Sequence, residues 1–90
     1  METKVLNYRV IIEPEKMGRK TVFNAYCPTL GLADFGTSVE EAFEHIQKLI
    51  KFHVESLVAD KQPVPSPDTE KEFISIARVQ VEVPQNIAFR

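Results

Sequence analysis

Ninety residues, 43% of them hydrophobic, make room for one domain, spanning residues 1–90, and no more. Eleven Lys and Arg stand against thirteen Asp and Glu, a net charge of -2. That balance lacks the basic excess on which nucleic-acid binding draws most of its affinity, and it suits a basic protein partner better.

The first predicted element is a strand over residues 5–13, where Tyr8, Val10 and Ile12 alternate with Arg9, Ile11 and Glu13. Pro14 is expected to end it, because proline gives nothing to the ladder. Residues 15–20 read as a polar loop with Gly18 at the turn. A second strand follows over residues 21–27, with Thr21, Phe23, Ala25 and Cys27 on one face and Val22, Asn24 and Tyr26 on the other. So short a link makes the pair an antiparallel hairpin, since a parallel pair needs a crossover of a dozen residues or more. Residues 32–35, between Gly31 and Gly36, fit a short third strand.

The clearest signal is a helix over residues 39–59. Thr37 with Glu40, and Ser38 with Glu41, offer overlapping capping boxes at its start. Val39, Ala42, Phe43, Ile46, Leu49, Ile50, His53, Val54 and Leu57 fall on one face at helical period. Glu41, Glu44, Lys48, Lys51 and Glu55 fall on the other, with Glu44 and Lys48 at a favourable spacing of four. Residues 60–68 hold three alternate prolines and form a connector. Residues 73–83 predict a long last strand that Pro84 stops, followed by a tail over residues 84–90. The order β-β-β-α-β gives an α+β fold in two layers, an antiparallel sheet of three to four strands with the helix packed across one face.

No catalytic constellation emerges, and no enzyme activity, cofactor or metal is expected. Cys27 is the only cysteine and reads as a structural thiol. His45 and His53 lie eight residues apart, about 80° around the helix from each other, so they do not make a metal site. His45 reads as solvated and His53 as a residue at the core edge. The carboxylates Glu13, Asp34 and Glu82 do not converge as two-metal hydrolysis requires. Glycines 18, 31 and 36 do not match a phosphate loop. The first ten residues lack a signal peptide's apolar core, and no run approaches the ~20 apolar residues of a membrane span, so the expected compartment is the cytoplasm.

Residues 8–15 (YRVIIEPE), 25–36 (AYCPTLGLADFG), 37–50 (TSVEEAFEHIQKLI) and the proline connector at 63–67 together resemble the HicB family. The resemblance implies a partly RNase H-like fold without a working catalytic centre. It implies an antitoxin of a prokaryotic toxin–antitoxin pair, whose partner is a small basic HicA-type mRNA-cleaving toxin and which acts by covering the toxin's active surface. The alternative is a solitary domain of the same kind with another protein partner or a structural role. Many members carry a C-terminal DNA-binding segment. Only seven residues follow Val83 here, so no direct DNA binding by this chain is expected. The candidate partner-facing residues are Glu13, Glu15, Tyr26, Asp34 and Phe35, an acidic and aromatic set, with Phe52 as an exposed helix aromatic. Unpaired strand edges predict a homodimer or larger assembly.

Overall fold

The computed structural model describes residues 2–68, 75–83 and 86–89. Three antiparallel strands, β1 (Ile11–Met17), β2 (Lys20–Cys27) and β3 (Leu32–Gly36), form a sheet in the order β1-β2-β3. One helix, α1 (Val39–Ala59), packs on it, chiefly along β3 and β2. The chain therefore has a small α+β fold with a three-stranded antiparallel sheet and one packed helix.

The core forms where the sheet and helix press small residues together. Ala25 and Cys27 of β2 and Ala42 and Ile46 of α1 are fully buried. Phe23, Leu32, Leu49 and Ile50 pack around them, with Tyr8 and Val10 from the segment before β1. The predicted helix stripe thus faces the sheet, although Val39 and Phe43 at its margin are only partly covered. The Glu44–Lys48 ion pair forms at 2.9 Å on the solvent side, where such pairs contribute little stability.

The strand-to-helix junction depends on Gly36. A Cβ on this buried glycine would lie 2.5 Å from the Ala42 nitrogen and 2.9 Å from the Glu41 carbonyl carbon. Glycine is required here for close approach and not for an unusual backbone angle, because the glycines with positive φ are Gly18 and Gly31. Ser38 is the N-cap, its hydroxyl accepting the Glu41 N–H at 3.0 Å. Thr37 does not form the second box expected with Glu40. Its backbone N–H and hydroxyl both donate to the Glu41 carboxylate, so the two residues share one cap through one glutamate. At the other end, Lys61 takes a left-handed φ of 55° and the Gln62 N–H reaches back to the Leu57 carbonyl at 2.8 Å. Together with the Lys61 N–H donating to Val58, this is the paired closure that ends many helices.

Two strand expectations need correction. β1 starts at Ile11 and runs through Pro14 to Met17, so residues 5–10 precede the ladder and residues 15–17 belong to it. Pro14 does not stop the strand because β1 lies at the sheet edge, where a missing N–H need not break the pairing with β2. The loop shrinks to Gly18 and Arg19. Gly18, at φ 65°, takes the first central position, which tight hairpins reserve for glycine. The predicted last strand is the second correction. Phe73, Ile74 and Pro84 lie outside the described residues, and residues 75–83 join no ladder.

Candidate functional site

Residues opposite each other in an antiparallel sheet share a face. The observed register therefore sorts the candidates. Glu13, Asn24 and Phe35 form one row across the three strands, and Ile11, Tyr26 and Ala33 form the next. Glu15 beside Val22 continues the surface toward the hairpin. All of these side chains lie on the face turned away from α1, since Ala25 and Cys27, their alternates on β2, are the buried ones. Phe35 is 60% exposed and Tyr26 46% exposed.

The structure thus brings four of the predicted residues, Glu13, Glu15, Tyr26 and Phe35, onto one uncovered surface. Two do not join them. Asp34 pairs in register with the buried Ala25, which turns it to the helix side, and its carboxylate accepts the Phe35 N–H at 2.8 Å. Phe52 is 70% exposed on the helix, on the opposite side of the two-layer body from the outer sheet face. No single flat partner covers both.

Sequence reasoning missed Ile11, Val22 and Asn24 as members of this surface. The Asn24 amide donates to the Glu15 carboxylate, which holds an acid in place among the apolar side chains. Alternation was the signal available, but it pointed to a strand ending at Glu13. Extending β1 past Pro14 places Glu15 on the same face as Glu13 and Ile11. Arg19 in the hairpin turn and Lys20 beside it follow, so the surface is acidic at its centre and basic at one end.

His45 also departs from expectation. It is half-buried, and its Nδ1 lies 2.7 Å from the Phe35 carbonyl, pinning α1 to the outer edge of β3. His53 is half-buried on the apolar stripe.

A second polar cluster ties the connector to the body. The Asp68 N–H donates to the Asn7 carbonyl at 2.8 Å, and its carboxylate accepts the Arg9 N–H at 2.7 Å and the Thr29 hydroxyl at 2.9 Å. The Tyr8 hydroxyl donates to the Pro65 carbonyl at 2.7 Å. The Arg9 N–H, then Thr29, hold the Asp68 carboxyl below its usual range, while burial pushes the Tyr8 phenol up. These bonds position residues 7–10 so that Tyr8 and Val10 reach the core. Beside them an open groove of about 780 Å³ runs between residues 2–10 and α1, floored by Leu6, Val10, Ile50 and Val54. No group of three or more His, Cys, Asp or Glu placed to hold a metal ion occurs among the described residues. Among them, too, no helix is long and apolar enough to cross a membrane.

UPF0150 protein ssr1765 from Synechocystis sp. is 38% identical to this chain over 74 residues, which cover 81% of the chain and 90% of the relative. The chain belongs to the UPF0150 family. No family model matches it, and no solved structure matches it. The HicB resemblance is corrected accordingly, and with it the reading as a HicB-like member of a toxin–antitoxin system. The residues that carried the resemblance have roles that explain the misreading. Gly36 admits the helix, Ser38 caps it, Glu41 serves the cap, and Ala42 is buried against the sheet. These four meet the requirements of a strand-to-helix junction.

Proposed function

We propose that this member of the UPF0150 family is a non-catalytic protein-binding module, and that the outer face of its sheet is the docking surface. The exposure of Tyr26 and Phe35 on a face that the helix leaves uncovered carries this reading. A sheet face with no partner layer is normally polar. This one sets two aromatics and Ile11 beside Glu13 and Glu15. Aromatic side chains are enriched among the residues that dominate binding energy, and the flanking carboxylates favour a partner with a basic surface. The toxin as a specific partner rested on the HicB resemblance alone and forms no part of the proposal.

Capture by immobilised full-length protein tests the reading. The wild type and Phe52→Ala should retain the same protein from a lysate of the source organism. Phe35→Ala should lose it, and the double variant Glu13→Lys, Glu15→Lys should retain less of it, with a weaker dependence on salt. Equal retention by all four proteins, or loss with Phe52→Ala alone, would place the docking surface elsewhere.

A further inference from the structure

Residues 75–83 are all exposed and belong to no helix, strand or turn, yet they carry the strongest alternation in the chain. Ile76 is 96% exposed and Val79 74%. The radius of gyration is 17.7 Å, against about 12 Å for a compact chain of this length, in keeping with a segment that does not fold back on the body. A β-rich stretch this exposed needs a strand partner, and the sheet offers poor ones. The outer edge of β1 carries Pro14, which has no N–H to give. On β3, His45 already occupies the Phe35 carbonyl.

We propose that residues 75–83 of two copies of this chain pair with each other as antiparallel strands about a twofold axis at Gln80. Self-pairing of one segment fits the closed, isologous symmetry of most homodimers. The side chains select the register. With Gln80 opposite its own copy, Arg78 lies opposite Glu82, Val79 opposite Val81 and Ala77 opposite Val83. Both charge pairs are then opposite in sign, and the other face is apolar, with the β-branched pair Val79 and Val81 at its centre, the combinations that stabilise cross-strand neighbours. Shifting the axis to Val79 puts Glu82 opposite Ile76 and Arg78 opposite Gln80, which matches neither charge. A parallel in-register pair would stack Arg78 on Arg78 and Glu82 on Glu82. An isolated two-stranded ribbon is marginal in water, so the dimer is reversible and concentration-dependent. This inference is independent of the proposed docking surface, which lies on the sheet.

Sedimentation velocity of the full chain from micromolar to near-millimolar concentration tests the pairing. The wild type should pass from monomer to dimer. Arg78→Glu and Glu82→Arg should each weaken self-association about tenfold or more, because each turns two attractive pairs per dimer into repulsive ones. An equimolar mixture of the two variants should recover wild-type association. In the mixed dimer both carboxylates lie on one strand and both guanidinium groups on the other, so each cross-strand pair is again opposite in sign. Helical circular dichroism should be unchanged in both, which separates lost pairing from lost folding. A chain that stays monomeric throughout, variants that associate like the wild type, or a mixture no better than its components each overturns the proposal.

Discussion

On the inner face of the sheet, Ala25 and Cys27 have no exposed surface, while Tyr26 between them on the same strand is 46% exposed. The strand is common to both faces, so backbone pairing cannot account for the contrast. What differs is the layer above. α1 covers one face with Ala42 and Ile46, and nothing in the described chain covers the other. The inner face invests its small residues in close approach and gains stability. The outer face keeps large apolar side chains in water, where they contribute little to folding. Substitutions should therefore separate the two faces sharply, and they can be ranked by what each removes.

Ile46→Ala should have the largest effect. Ile46 is one of the two largest fully buried side chains, and its truncation leaves a cavity between sheet and helix. A loss of about 3 kcal/mol is expected, a large fraction of the stability of a domain this small. Urea unfolding followed by circular dichroism measures it. Gly36→Ala should follow at about 2 kcal/mol, through overpacking in place of a cavity. Its new methyl meets the Ala42 and Glu41 backbone, which yields less readily than a side chain. A neutral Gly36→Ala would mean that α1 sits further from β3 than described. Ser38→Ala should cost about 1 kcal/mol, the usual value of an N-cap. Thr37→Ala should cost less, because its backbone N–H keeps the bond to Glu41 when the hydroxyl is gone. Equal costs would restore the overlapping caps that sequence spacing had indicated.

The order of elements from β1 to α1 was legible in the sequence, and so were the helix bounds. Helical period, a cap and a proline connector each mark the helix independently, so their agreement fixes it. β2 and β3 were legible because alternation and bracketing glycines act locally. β1 was misplaced because Pro14 forbids a central strand but not an edge strand, and edge position is a property of the sheet. The alternation in residues 75–83 was equally plain, but a strand needs a partner that its own pattern does not name. The same limit applied to the candidate site. Glu13, Tyr26 and Phe35 are distant in sequence, and only the register of three strands sets them side by side. Asp34 was grouped with them by adjacency to Phe35, although neighbours along a strand point to opposite faces.

The smallest expected effect is the one that bears most on function. Phe35→Ala should change stability by no more than about 0.5 kcal/mol, as surface substitutions do. Phe35 is 60% exposed, so most of its ring is already in water and its removal leaves no cavity. The tie between α1 and β3 survives, because His45 bonds to the Phe35 carbonyl and not to its side chain. The Asp34 carboxylate still accepts the residue 35 N–H for the same reason. Thermal melts of wild type and variant should therefore overlay while capture of the partner is lost. A variant that loses more than about 2 kcal/mol would show that Phe35 packs as a structural residue. The outer face would then resemble the inner one, and the contrast on which the docking surface rests would disappear.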